Sequence, residues 1–346
     1  MCGIIGYTGP RSATPILLDG LTSLEYRGYD SAGIAVLSPV GETHVHKASG
    51  KLGNLKEVLS NGHSPQGTIG IGHTRWATHG DPTDFNAHPH ADCKGDVVVV
   101  HNGIVENYVE LKKALVEQGH IFRSETDSEC VPHLIESFLA EEMSLEDAVR
   151  ATALRLRGAN AIVVVSRRFP DRIVAVRLGN AGGIVVGYGQ DEMVLASDIP
   201  AILPHTRDIV YLSGGEIVSM THTGAHYSTL DGLAVEKEVA HVDYDEMAAV
   251  KGDYEHFLLK EIHEQPEAMI DTLRGRISPD FSSVELEELA AFSDEQLRGF
   301  QRVVVLGMGT SLHAGMVGRN WLENFARISA EADNSSEFRY RDPVLN

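Results

Sequence analysis

The chain has 346 residues, 42% of them hydrophobic, enough for about two domains with real cores. Its formal net charge of −20 repels nucleic acid and anionic membranes, so neither is an expected partner. No apolar run approaches the roughly 20 residues of a membrane span, no basic-then-apolar leader opens the chain, and three cysteines without a C-x-x-C pair point to a reducing cytoplasm rather than a disulfide framework or a zinc ribbon.

Residues 3–7 read as a short buried strand directly behind Cys2. Thr14-Pro15 reads as a helix start, with Ile16, Leu17, Leu21 and Leu24 on its apolar face. Residues 33–37, 68–72 and 96–101 read as strands, and residues 106–119 as a helix ending at Gly119. Thr126-x-x-Glu129 is a capping-box pattern for a helix running to about Glu142. A helix over residues 145–157 follows, then strands over 161–166, 173–177, 183–186 and 193–196, with turns at Gly214-Gly215 and Thr223-Gly224. This order predicts two antiparallel sheets with helices outside. From Asp231 to Phe300 there are 18 Asp and Glu against 6 Lys and Arg, a net of −12, which reads as solvated helices joining two domains. Residues 303–306, a glycine turn and a helix then open a parallel α/β domain.

Four stretches carry chemistry. If Met1 is removed, Cys2 holds a thiol and a free α-amino group on one carbon. That amine, with an ordinary pKa of about 7.7–8.0, is a built-in base for the thiol. In "HTRWATHG", Arg75 suits bidentate capture of a carboxylate, and Trp76 suits a lid. A surface ion pair and an ordinary core tryptophan are the plainer readings. In "VVHNGIVEN", Asn102 and Gly103 suit an oxyanion hole, or simply an Asn-Gly turn. In "SETDSE", Asp127 suits a substrate ammonium, or caps a helix. The H-x-H pairs His44/His46 and His88/His90 lack a Cys or carboxylate set to complete a metal shell, so no metal is expected there. A nucleophile, an oxyanion hole, a carboxylate binder and an ammonium binder together suit the side-chain amide of a free amino acid.

These stretches, with "CGIIGY", "LEYRGYDSAG" and "NAHPH", resemble the glutaminase domain of class II glutamine amidotransferases, nearest to the glucosamine-6-phosphate synthase family. "EIHEQPEA" and "GMGTS…SEFRYRDP" extend the resemblance over nearly the whole chain. It implies an α+β fold: an N-terminal-nucleophile αββα sandwich over residues 2–240, an acidic helical linker over 241–300 and the start of a sugar-isomerase (SIS) domain over 301–346. It implies Cys2 as nucleophile, Asn102 and Gly103 as oxyanion hole, and Arg75 and Asp127 as holders of the glutamine α-carboxylate and α-amino groups. Thr78 and His79 would line the same pocket. Trp76 would gate ammonia, with Arg27 and His88 near the contact between domains. Gly309, Thr310 and Ser311 match the first phosphate-contacting loop of the SIS fold, in keeping with a glycine turn at a helix start. The family implies L-glutamine and fructose 6-phosphate as substrates, no cofactor, amino-sugar synthesis as the purpose and a homodimer at full length.

The family's second phosphate loop and its isomerisation residues match nothing before Asn346. The expectation is therefore a truncated SIS segment and competence for the glutaminase half-reaction alone. The rivals are another class II amidotransferase, against which "GMGTS" speaks, and a non-catalytic fragment that binds glutamine or pairs with intact subunits.

Overall fold

In the computed structural model, runs of β-branched residues set the framework. It describes residues 2–344 except 39, 61–63, 78, 243–253, 255, 274–275, 279–281, 285, 287–288, 290 and 342. Thr78, the fate of Met1 and part of the expected acidic linker lie outside the described residues. The chain forms two compact units, Met1–Asp253 and Tyr254–Asn346.

The first unit begins with strands β1 (Gly3–Thr8), β2 (Ser31–Leu37), β3 (Thr43–Ser49), β4 (Ile69–Arg75), β5 (His90–Ala91), β6 (Val97–Gly103) and β7 (Asn160–Ser166). It continues with β8 (Phe169–Leu178), β9 (Val185–Tyr188), β10 (Met193–Ala196), β11 (Asp208–Tyr211), β12 (Glu216–Thr221), β13 (Gly224–Thr229) and β14 (Ala240–His241). Its helices are α1 (Ala13–Ser23), α2 (Leu52–Ser60), α3 (Tyr108–Glu117), α4 (Cys130–Leu139) and α5 (Leu145–Arg155). One sheet has the order β14-β11-β9-β10-β1-β4-β2-β3 and the other β13-β12-β8-β7-β6-β5, with antiparallel pairings throughout.

The valine run of β6 shows how the layers arise. Successive side chains leave a strand on opposite faces. Val98 and Val100 enter the apolar layer between the sheets with Ile4, Ile71 and Val163. Val97 and Val99 enter a second layer with Val131, Ile135 and Val149 of α4 and α5. A third layer packs Leu17 and Leu21 of α1 and Leu55 of α2 on Ile5 and Ile34. The result is helix, sheet, sheet, helix, the αββα sandwich that the resemblance implied. Each fully buried valine or isoleucine contributes about 1.5–3 kcal/mol, so both faces of β6 need to be apolar.

Two local expectations are corrected. Thr126 and Glu129 form no capping box. The Glu129 carboxylate instead takes the N–H groups of Arg123 (2.7 Å) and Ser124 (2.6 Å) and the Ser124 hydroxyl (2.6 Å), while Thr126 Oγ1 meets His90 Nε2 at 3.0 Å. A 3-10 turn, Asp127–Glu129, therefore precedes α4. That helix stops at Leu139, and Glu142 takes a left-handed φ of 63°.

The second unit contains α6 (Phe257–Leu273), α7 (Asp294–Gly299), β15 (Arg302–Gly307), α8 (Thr310–Trp321), β16 (Ser329–Asn334) and α9 (Ser335–Tyr340). Strands β15 and β16 pair in parallel, so the predicted strand, glycine turn and helix form a β-α-β unit. Gly309 holds the turn into α8 with φ 54°, a conformation that a Cβ disfavours. No described helix is long and apolar enough to cross a membrane.

Candidate active site

Three strand ends converge. Gly3 of β1 pairs with Thr74 of β4, which sets Cys2 beside Arg75 and Trp76. Asn102 and Gly103 end β6 in the other sheet. The Trp76 N–H donates to Cys2 Sγ at 3.1 Å, and the thiol reaches the Trp76 carbonyl at 3.6 Å. The Cys2 carbonyl accepts from Asn102 Nδ2 at 3.0 Å and Arg27 Nε at 3.2 Å. Burial pushes the Cys2 thiol up; the Trp76 N–H and the charges of Arg75 and Arg27 pull it back.

The orientation of Asn102 follows from its neighbour. His73 Nε2 lies 3.2 Å from the His101 carbonyl, which can only accept, so Nε2 carries the proton. The same N–H reaches Asn102 Oδ1 at 3.0 Å and turns the amide N–H groups towards Cys2. Gly103 has φ 144°, and a Cβ there would stand 2.4 Å from the Ala159 carbonyl, so only glycine fits.

His73 belongs to a buried row. Its ring stacks on His88 at 4.3 Å, and His88 meets His90 edge-on at 4.5 Å. Burial holds all of them uncharged: His73 is pushed down to about 3, and His88, His90 and His101 move the same way. His101 is fixed by Asn160 Oδ1 at 2.9 Å and Ser128 Oγ at 2.8 Å.

The cavity at this junction is lined by Cys2, Arg75, His79, Gly103, Asp127 and Ser128, with Trp76 and His88 also on its wall, and holds about 30 Å³. That is room for a few waters, not for an amino acid. Arg75 forms part of the cavity wall. Its guanidinium, 4% exposed, donates to the carbonyls of His79, Gly80 (3.1 Å) and Asp81 (3.2 Å), which is neither a surface ion pair nor a ready carboxylate clamp. Asp127 points one oxygen at the Val105 N–H, 2.6 Å away. Trp76 is 45% exposed and packs edge-on against Tyr29 at 5.4 Å, unlike a core residue. The His79 ring meets Tyr108 at 4.7 Å.

Of the remaining expected residues, Arg27 is buried against Cys2 and paired with Asp198 at 2.6 Å. His88 is buried in the histidine row. Gly309, Thr310 and Ser311 lie in the second unit, at the β15–α8 turn. Sequence reasoning missed His73, Asp30 and Ser128. His73 had a signal, since it stands two residues before Arg75 on one strand and so shares its face. Asp30, whose carboxylate takes the Ala77 N–H at 2.8 Å, had none beyond its place in "YRGYD".

With this geometry in hand, comparisons with known proteins are specific. A family profile described as a glutamine amidotransferase domain matches residues 59–230. Across 100% of its length the chain is 50% identical to a glutamine–fructose-6-phosphate aminotransferase (isomerizing) of Symbiobacterium thermophilum, covering 56% of that protein. The proteins of the same name from Thermus thermophilus and Clostridium acetobutylicum are 49% and 46% identical, each with 55% covered. The chain thus spans about half the length of the curated relatives it matches. Among solved structures, glutamine phosphoribosylpyrophosphate amidotransferase from B. subtilis, complexed with ADP and GMP, aligns with a TM-score of 0.56 at 28% identity, over 66% of this chain and 49% of that one.

Proposed function

We propose that this chain, which belongs to the glutamine–fructose-6-phosphate aminotransferase branch of the class II glutamine amidotransferases, releases ammonia from glutamine through the thiol of Cys2. One observation carries the reading: Cys2, Asn102, Gly103, Arg75 and Asp127 share one junction between the two sheets, with a backbone N–H on the sulfur.

The steps follow from the groups present. With Met1 removed, the Cys2 amine takes the thiol proton as sulfur bonds to the amide carbon. The carbonyl π electrons move to oxygen, where Asn102 and Gly103 stabilise the oxyanion. To reach it, the Asn102 amide leaves the Cys2 carbonyl or shares its two protons. The ammonium proton passes to the leaving nitrogen, the C–N bond breaks and ammonia departs. Water then cleaves the thioester to glutamate and regenerates the thiol. Arg75 holds the α-carboxylate once it releases the carbonyls of residues 79–81, and Asp127 and His79 receive the α-ammonium side. Trp76 covers the thiol.

In the whole protein the ammonia is transferred to fructose 6-phosphate, giving an amino sugar phosphate. Gly309, Thr310 and Ser311 then contact the sugar phosphate at the start of α8, where the helix dipole favours an anion. This assignment makes residues 2–240 the glutaminase domain, 241–300 a linker and 301–346 part of an SIS domain, in a homodimeric enzyme of the cytoplasm.

The test is a time course of glutamate and ammonia from purified chain and glutamine, with and without fructose 6-phosphate, with intact mass reporting Met1. Glutamate from chain lacking Met1, and none from Cys2→Ala, supports the reading. Normal turnover by Cys2→Ala sinks it.

A further inference from the structure

We propose a structural zinc site, remote in chemistry from the glutaminase, built by Cys93, His120, His133 and Glu136. It is the one such group of potential ligands among the described residues. Cys93 lies in the turn between β5 and β6, His120 in the loop after α3, and His133 and Glu136 on one face of α4 at i and i+3. One donor atom from each lies within 4.8 Å of all the others.

Four of the six separations lie close to the edges of a tetrahedron around a metal, and the other two are within 4.8 Å. Cys93 Sγ is 3.6 Å from His120 Nδ1 and 3.6 Å from His133 Nδ1. Glu136 Oε2 is 3.0 Å from His120 Nδ1 and 3.4 Å from His133 Nδ1. Zinc bonds of about 2.3 Å to sulfur and about 2.0–2.1 Å to nitrogen and oxygen give tetrahedral edges of roughly 3.6 Å and 3.3 Å. One thiolate, two imidazoles and a carboxylate are a borderline-soft donor set that suits zinc better than calcium or magnesium.

The outer hydrogen bonds orient the two rings towards the cluster. The Ser137 hydroxyl donates to the His133 carbonyl at 3.0 Å, which uses its only proton. Its oxygen therefore accepts from His120 Nε2–H, 3.0 Å away, and the ring turns its Nδ1 towards Glu136. On the other imidazole, Nε2 is buried with no hydrogen-bond partner, and Glu129 Oε1 is 3.8 Å from it, so Nδ1 faces the cluster while a carboxylate backs the ring. A divalent cation at the centre of these donor atoms would take the place of the proton that otherwise bridges Glu136 and the rings. The sulfur also accepts the Ile121 N–H at 3.4 Å, and Glu136 the Cys93 N–H at 3.3 Å. A cleft of about 250 Å³ reaches His120 and Glu136 and gives the ion a path from solvent.

Binding involves no redox change. Zinc takes the sulfur lone pair, and the Cys93 thiol proton goes to solvent. The ion would tie the β5–β6 turn and the loop after α3 to α4, next to the Glu129 carboxylate that shapes the segment before it.

The test strips the purified full chain with a chelator and titrates it with zinc, then separately with cobalt, following metal content and absorbance. The expected result is one equivalent per chain, a thiolate-to-cobalt charge-transfer band, and a melting temperature that rises with zinc. Cys93→Ser should lose the band and weaken zinc retention at least tenfold, while Cys130→Ala keeps both. Wild-type chain that takes up no zinc and shows no cobalt band overturns the proposal, and means that a shared proton, not a metal, bridges these groups. A band that persists in Cys93→Ser overturns it as well. The wild-type titration decides the matter even where a variant fails to fold.

Discussion

Cys2 and Cys130 are two thiols in one unit with opposite surroundings. Cys130, at the start of α4, is fully buried among Val131, Leu115 and Val105, and burial, with the charge of Asp127 behind it, pushes its thiol up to about 12. Both thiols have a carbonyl to donate to, that of Tyr108 at 3.7 Å for Cys130 and that of Trp76 at 3.6 Å for Cys2. Burial pushes Cys2 up too, but a backbone N–H sits on its sulfur and two guanidinium charges lie nearby. Loss of water alone makes a cysteine inert. Donors and cations on one side make it usable, and here they arrive from β4 and the turn at Arg27.

The largest expected effect breaks the comparison at the nucleophile. Cys2→Ala should reduce glutamate release to background, whereas Cys130→Ala should keep most of the wild-type kcat. Iodoacetamide mapped by peptide mass should label Cys2 well ahead of Cys130. If Cys130→Ala abolished turnover in a folded chain, the contrast would be wrong.

Next comes the oxyanion donor. Asn102→Ala should lower kcat by about 10²–10³-fold with little change in KM, in steady-state glutaminase assays. An effect confined to KM would make the amide a substrate binder instead.

Stability gives the smaller effects. Gly103→Ala should cost about 1–3 kcal/mol, because its φ of 144° and the Ala159 carbonyl at 2.4 Å leave no place for a Cβ. Denaturant melts would read this directly. The buried histidines supply a pH dependence with a definite sign. Unfolded histidine binds a proton near pH 6.5, but folded His73 only near 3. The unfolded state therefore holds more protons between those values. Stability is fully present above about 6.5 and falls on acidification, by up to about 1.4 kcal/mol per pH unit for His73 alone. His88, His90 and His101 shift in the same direction and steepen the fall. Melting temperatures from pH 8 to 4 should decline, and a His73→Phe variant should flatten the slope.

Legibility varied with the range of the interaction. The valine runs of β6 and β7 were readable because β-branching and burial act within a few residues. The short helix α2 was readable but not read: Leu52, Leu55 and Leu59 lie on one face, and all three are buried. The capping box failed because its local pattern competed with partners elsewhere, Arg123 and Ser124 for Glu129 and His90 for Thr126. Arg75, expected to hold a carboxylate, has three loop carbonyls as its partners instead.

The amino-acid sequence by itself determined the αββα layering, through which residues tolerate burial, and the set of groups able to do amide chemistry, through residue type and motif. Only the tertiary structure decided which polar atom meets which: the Asn102 amide and the Cys2 carbonyl bond across a separation of 100 residues. The zinc-type cluster likewise draws on Cys93 and Glu136, 43 positions apart. Such pairings leave no local period, because sheet register and layer packing, not neighbouring residues, bring the partners within hydrogen-bond reach.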